Sequence, residues 1–315
     1  MRTLLEVEDL RVDFTVGAHG RRRRLRAVDG VDLVVREGEI LGLVGESGCG
    51  KSTLARTLVG LQAPSGGRIS LGGDLLPRRR PAAVRKRIQM IFQDPGSSLD
   101  PRHTVREALL APLRVHRLAD GAGEEARVRE LMGLVELPER LLDAKPRSLS
   151  GGQRQRVAIA RALAVEPDVL VADEAVAALD ASATGAILNL LADLRTSLGL
   201  TVVFISHDLS VVRGLCDRVA VMYLGRVVEL GRTAEIFARP RHPYLQALLA
   251  AVPRVGAPIA APPLEGDEPP SLLDPPSGCR FRTRCPAAFD RCVTEEPALV
   301  TRGGALVACH LADRC

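Results

Sequence analysis

Gly45, Glu46, Ser47, Gly48, Cys49, Gly50, Lys51, Ser52 and Thr53 follow the spacing G-x-x-x-x-G-K-[ST]. Glycines at these places let a loop curl until backbone N–H groups converge on phosphate oxygens, a path that side chains would obstruct. An apolar run, residues 40–44, precedes the loop, and residues 54–59 follow it with helical spacing. In that strand–loop–helix setting the helix adds unsatisfied N–H groups and the positive end of its dipole. Lys51 is placed to reach the β- and γ-phosphates of a nucleotide and Ser52 to hold Mg²⁺. Cys49 reads as a small filler, not as a nucleophile. A Gly-rich strand–helix turn without a ligand has the same bare pattern, so other residues must supply the rest of the chemistry.

Asp173 and Glu174 close an apolar run at residues 169–172. Asp173, at the tip of such a strand, can orient Mg²⁺ opposite Ser52. Glu174 can accept a proton from, or orient, the water that attacks a γ-phosphate. Gln93 ends the short strand pattern of residues 88–92 and can reach the same ion and water. His207 follows another apolar run and is placed to hydrogen-bond the γ-phosphate. Taken singly, each is an ordinary loop start or a structural histidine. Ser150, Gly151, Gly152 and Gln153 open a helical stretch, which alone means an N-cap serine and two flexible glycines. Here they also describe a second phosphate cradle at a helix N-terminus. One fold does not need two cradles for one phosphate, so the second is expected to serve a nucleotide bound by another chain.

These groups need strands and helices in alternation to hold them. Leu10, Val12, Phe14 and Val16, and then Val31, Leu33 and Val35, alternate as half-buried strands of an antiparallel sheet, with a Gly/Arg loop expected over residues 17–24. Buried β-rich runs at residues 88–92, 169–172, 202–206 and 218–224 alternate with helical stretches, the longest at 182–198, which implies parallel βαβ units. Between them, Thr104 and Glu107 form a capping box that opens a helix, and residues 124–135 and 154–165 read as further helices. The result is an α/β nucleotide-binding core with a helical insertion. Residues 253–276, rich in Pro, Ala and Gly, read as a linker.

Composition agrees with a globular chain of 315 residues, 46% hydrophobic but only 3% aromatic, whose core is built from aliphatic side chains. The net charge of +5 is weak, and the arginine clusters at 21–24 and 78–80 carry no aromatic residues, so no nucleic-acid partner is expected. No signal peptide and no stretch of ~18 uncharged apolar residues is present, which points to the cytoplasm.

Taken in order, the loop at 45–53, Gln93, residues 149–153, Asp173, Glu174, Asp180 and His207 resemble the ATPase domain of ABC transporters over roughly residues 4–230. The resemblance implies a P-loop NTPase (RecA-like) core with an antiparallel β subdomain and an α-helical subdomain at about 96–165, together spanning residues 1–240. It implies ATP as nucleotide and a composite site: Lys51, Ser52, Gln93, Asp173, Glu174 and His207 from one subunit, Ser150 and Gly152 from the facing one, and Asp180 at the contact between them. Phe14 is the candidate for stacking on adenine. The family usually has Pro-Thr-Ser after the catalytic Glu, where this chain has Ala175, Val176 and Ala177; the lost hydroxyls could weaken subunit communication. An Asn-Lys-x-Asp guanine-reading stretch is absent, against a GTP switch. A long coiled-coil insertion or second ATPase domain is absent too, against a non-transport ABC ATPase.

Residues 88–95, 97–102 and 241–249 look like the dipeptide/oligopeptide importer branch, nearer the second ATPase of its usual pair. That resemblance implies uptake of peptides, with nickel or glutathione as cargoes of the same branch. It also implies a second ATPase subunit, two membrane permeases and an external binding protein, with this chain on the cytoplasmic face of a bacterial plasma membrane. The region 241–315 would be the branch's C-terminal part, ending in a small cysteine-rich module at 278–315. There Cys279, Cys285, Cys292 and Cys309 are separated by five, six and sixteen residues. Disulfides are disfavoured in a cytosolic chain, and structural zinc usually has closer pairs. Four thiolates around a [4Fe–4S] cluster are chemically reasonable, and some members of the branch carry one. Zn²⁺ and metal-free thiols are the alternatives, with Cys216 and Cys315 outside any ligand set.

Overall fold

The computed structural model describes residues 2–18, 21–252 and 270–313. Most of the linker stretch at 253–276, and Cys315, lie outside the described residues. The strands are β1 (Thr3–Ala18), β2 (Arg21–Arg36), β3 (Ile40–Val44), β4 (Gly66–Leu71), β5 (Asp74–Leu75), β6 (Ile88–Ile91), β7 (Val169–Asp173), β8 (Thr201–Ile205), β9 (Arg218–Tyr223), β10 (Arg226–Arg232), β11 (Val300–Arg302) and β12 (Ala305–Val307).

They form two sheets, one in the order β2-β1-β4-β5 and one in the order β11-β12-β10-β9-β3-β8-β7-β6. The first is antiparallel throughout. In the second, β6, β7, β8, β3 and β9 run parallel, and β10, β12 and β11 continue the sheet antiparallel. β3, β7 and β8 are buried at every position, as expected for parallel strands covered on both faces. Alternate side chains serve opposite cores. Ile40, Val44, Leu170, Ala172, Val202 and Phe204 join the helical side, whereas Leu41, Leu43, Val169, Val171, Val203 and Ile205 join the antiparallel sheet and the helix Lys51–Leu58. Every strand tip that carries a candidate residue is thereby fixed from two sides.

Two expectations change. The arginines at 21–24 are not a loop: β1 and β2 run on as a hairpin in which Thr15 faces Arg24 and Val16 faces Arg23. Arg24 is bound there to the Asp13 carboxylate, so ladder bonds and a charge pair extend strands that alternation alone would end earlier. The C-terminal segment is joined to the core through the sheet, since β12 pairs with β10 and Ala308 N–H donates to the Val228 carbonyl at 2.9 Å.

The helical insertion contains Val105–His116, opened by the Thr104–Glu107 capping box, and Ala122–Leu134. Its next helix, Gly151–Leu163, packs against both and leads into β7. Among the described residues, no helix is long and apolar enough to cross a membrane.

Candidate nucleotide site

The loop after β3 is narrow. A Cβ on Gly45 would lie 2.1 Å from the Met222 carbonyl oxygen, and one on Gly50 equally close to that of Ala27. Both residues have positive φ, 153° and 107°. The backbone therefore takes a path closed to other residues, and it ends in the helix Lys51–Leu58. The Lys51 ammonium donates to the carbonyls of Gly45 at 2.7 Å and Glu46 at 2.9 Å, which arches it over the loop. Cys49 is buried, its thiol raised by that burial, and so it fills space as a neutral group.

A cavity of about 350 Å³ opens over this loop, lined by Phe14, Leu25, Ala27, Ser47, Gly48, Gly50, Lys51, Ser52, Thr53, Gln93, Glu174 and Leu272. The Ser52 hydroxyl donates to Asp173 Oδ1 at 3.1 Å. Burial raises the Asp173 carboxyl and the Ser52 hydrogen bond partly offsets it. A hydroxyl and a carboxylate side by side at the loop's end are oxygen ligands of the kind that Mg²⁺ takes. Gln93 Nε2 donates to Glu174 Oε2 at 2.6 Å, while His207 Nδ1 lies 3.4 Å from Glu174 Oε1. Glu174 itself sits at φ 48°, left-handed for a residue with a side chain. Such a conformation costs about 1–3 kcal/mol; here it turns the carboxylate out of β7 toward the cavity. His207 borders a neighbouring hollow of about 540 Å³ together with Gly45 and Glu46.

Ser150, Gly151, Gly152, Gln153 and Asp180 do not line the phosphate-loop cavity. Ser150, exposed, caps its helix reciprocally with Gln153, through Gln153 N–H to Ser150 Oγ at 3.2 Å and Ser150 N–H to Gln153 Oε1 at 2.9 Å. Asp180 caps Ala181–Leu198, accepting from Ala183 N–H at 2.8 Å, and these bonds hold its carboxyl below the usual range. The two caps are neighbours: a Cβ on Gly151 would meet Leu179 Cδ2 at 3.2 Å, and one on Gly152 would meet Ala183 Cβ at 3.4 Å.

Leu25, Ala27 and Leu272 belong to the cavity wall although no motif marks them. Leu25 could have been found from the hairpin register, since it faces Phe14 across β1 and β2. Leu272 had no signal, because it stands in a proline-rich stretch without periodicity.

In the C-terminal segment, burial first and then the thiols of Cys292, Cys309 and Cys285 push the Cys279 thiol up to about 11. The four sulfurs thus share a neighbourhood. Among the described residues, however, no group of three or more His, Cys, Asp or Glu side chains is arranged to hold a metal ion. The side chains as placed fit neither a [4Fe–4S] cluster nor a structural Zn²⁺, and both expectations go unsupported.

Comparison with known proteins adds to this geometry. Residues 28–177 match the family model described as ABC transporter, and residues 228–292 match the oligopeptide/dipeptide transporter C-terminal region. A putative peptide import ATP-binding protein of Brucella abortus is 49% identical over 98% of this chain and 94% of its own length. The dipeptide transport ATP-binding protein DppF of Escherichia coli is 44% identical over 99% and 95%. Among solved structures, the ATP-binding cassette MJ0796 in a dimeric, post-hydrolysis state bound to ADP and Pi superposes with a TM-score of 0.65 at 31% identity, covering 73% of this chain and 99% of that one. CbiO1 of Clostridium perfringens, part of the transporter complex cbiONQ, gives 0.67 at 32% identity over 76% and 92%. The chain belongs to the ABC transporter family, in the branch that carries the oligopeptide/dipeptide C-terminal region.

Proposed function

We propose that this chain is the ATP-hydrolysing subunit of an importer of di- and oligopeptides. The observation that carries the reading is one cavity lined by a phosphate loop and by a carboxylate, Glu174, turned toward it, with Asp173 hydrogen-bonded to the Ser52 that lines it. In this reading, Gly45, Ser47, Gly48, Cys49, Gly50 and Thr53 present backbone N–H groups to phosphates, and Lys51 meets the β- and γ-phosphates. Phe14 packs on the base. Ser52, Gln93 and Asp173 would hold Mg²⁺, which would supply charge neutralisation at the phosphate oxygens. Glu174 takes the proton of the attacking water, Gln93 orients that carboxylate and the water, and His207 hydrogen-bonds the γ-phosphate. Ser150, Gly151, Gly152 and Gln153 of a facing ATPase subunit close the site, with Asp180 at the contact.

The partners of this reading are a second ATPase subunit, two permeases and an extracytoplasmic binding protein, with the chain peripheral on the cytoplasmic face of a bacterial plasma membrane. The names of the relatives and the C-terminal family match support it. The test is co-purification with permeases of this importer branch and ATPase assay of the reconstituted complex with a binding protein. Dipeptides should stimulate turnover. Stimulation by nickel or glutathione instead would reassign the cargo, and failure to assemble with permeases would remove transport.

A further inference from the structure

Glu46, the second residue of the phosphate loop, is held from three directions. Its carbonyl accepts from Lys51 at 2.9 Å. Its N–H donates to the Tyr244 hydroxyl at 2.8 Å. Its carboxylate takes two bonds from Arg284, Nη1 to Oε2 at 2.7 Å and Nη2 to Oε1 at 2.9 Å. Two of these three grips come from the C-terminal region, Tyr244 on the helix Pro243–Ala250 and Arg284 between Cys279 and Cys292. Both side chains are buried, at 0% and 4% exposure. They are fixed in turn by ring packing, with Tyr244 4.6 Å from Tyr223 and 5.5 Å from Phe281 between centroids. Arg280 ties the same segment to the Leu224 carbonyl and the buried Asp29.

A loop that receives a polyanion is poorly served by a carboxylate within it, because an unpaired Glu46 would repel phosphate. A fork-to-fork arginine pair cancels that charge and fixes its direction. The Tyr244 hydroxyl meanwhile fixes the peptide N–H of Glu46 at the entry of the loop. We infer that Arg284 and Tyr244 are positioning residues of the phosphate loop, so that the C-terminal region sets the affinity of this chain's own nucleotide site. The inference rests on the reading of residues 45–53 as that site.

The test is titration of the purified full chain with a fluorescent ATP analogue, alongside thermal melting and kcat at saturating ATP. Arg284→Ala is expected to weaken binding at least ~10-fold, with a further loss at low ionic strength where the bare Glu46 charge is least screened. Tyr244→Phe, which keeps the ring packing, is expected to weaken it about threefold or more. Arg284→Lys, which keeps the charge but not the fork, should fall between Arg284→Ala and the parent. In each variant kcat at saturation should change less than affinity, since neither residue touches the reacting atoms. A lower melting temperature with affinity within about twofold of the parent in Tyr244→Phe and Arg284→Lys would overturn the inference and leave a structural role. Should Arg284→Ala fail to fold, those two variants decide alone. A parent chain that does not bind the analogue, or a Lys51→Ala variant that binds as the parent does, would overturn the phosphate-loop reading instead.

Discussion

Glu174 stands between two groups that can steer it, Gln93 at 2.6 Å and His207 at 3.4 Å. Its backbone is fixed by its own N–H to the Ile205 carbonyl at 3.0 Å. Replacement by Gln keeps the shape and the neighbours but removes the base. Glu174→Gln is expected to bind ATP as the parent does and release phosphate at least ~100-fold more slowly; near-parental turnover would take Glu174 out of the mechanism. The loop offers a second test. Gly50→Ala drives a methyl group into the Ala27 carbonyl, whereas a Cβ at Gly48 has no atom within 4 Å. Gly50→Ala should therefore weaken ATP binding at least ~10-fold, with Gly48→Ala losing only the ~1 kcal/mol of a left-handed alanine. Equal affinities in the same titration would mean that the cradle yields to a methyl group. Residues that act as neighbours in sequence, from Gly45 to Thr53 and the pair Asp173 and Glu174, were legible because spacing alone places them. Arg284 and Leu272 were not, since folding brings them to the loop from more than two hundred positions away.

Alternation and apolar runs located the central strands, because burial on both faces demands unbroken aliphatic sequence. They did not reveal that β1 and β2 extend through the arginines, where ladder hydrogen bonds and the Asp13–Arg24 pair outweigh a polar composition. Nor did they show that β11 and β12 join the core sheet, a pairing made by short strands with little pattern of their own. The connection before them depends on His242. It is buried, accepts Tyr244 N–H on Nδ1 at 3.0 Å as the cap of Pro243–Ala250, and donates its backbone N–H to Glu229 at 2.9 Å. Burial lowers its pKa from 6.5 to about 3. In that window the unfolded chain takes up a proton that the folded chain refuses, so stability rises with pH and is lost as pH falls from about 6.5 toward 3. The buried Glu229 carboxyl is raised and acts with the opposite sign, so a comparison of variants isolates the histidine. His242→Asn keeps an acceptor for the cap and removes the titration. Denaturant midpoints between pH 4 and 6 should slope less in the variant, by up to about 1.4 kcal/mol per pH unit. Parallel slopes would mean that His242 is protonated in the folded chain.

At the scale of the molecule, the phosphate loop at 45–53 and the serine–glycine helix start at Ser150, proposed as a second cradle, do not share a cavity. The loop at Gly45 has Lys51, Ser52 and Glu174; the cap at Ser150 is exposed, and its glycines lie beside Leu179 and Ala183. In the proposed reading the Ser150 cap serves the nucleotide of a facing ATPase subunit, and its separation from the cavity over residues 45–53 is consistent with that. The serine–glycine helix start was visible in the sequence, but its separation from the phosphate-loop cavity needed the fold. Ser150→Arg tests the division. It places a long side chain on the exposed cap, at a cost of about 1 kcal/mol to the helix start, which melting would report. The isolated chain should still bind ATP within about twofold of the parent, because its own cavity is untouched. In the assembled transporter, cargo-stimulated ATPase should fall at least ~100-fold, since the second cradle can no longer approach the facing nucleotide. Lys51→Ala should give the reverse order of effects, losing affinity in the isolated chain first. If Ser150→Arg instead weakened the isolated chain as much as Lys51→Ala, both cradles would serve one nucleotide and the paired-subunit reading would fall.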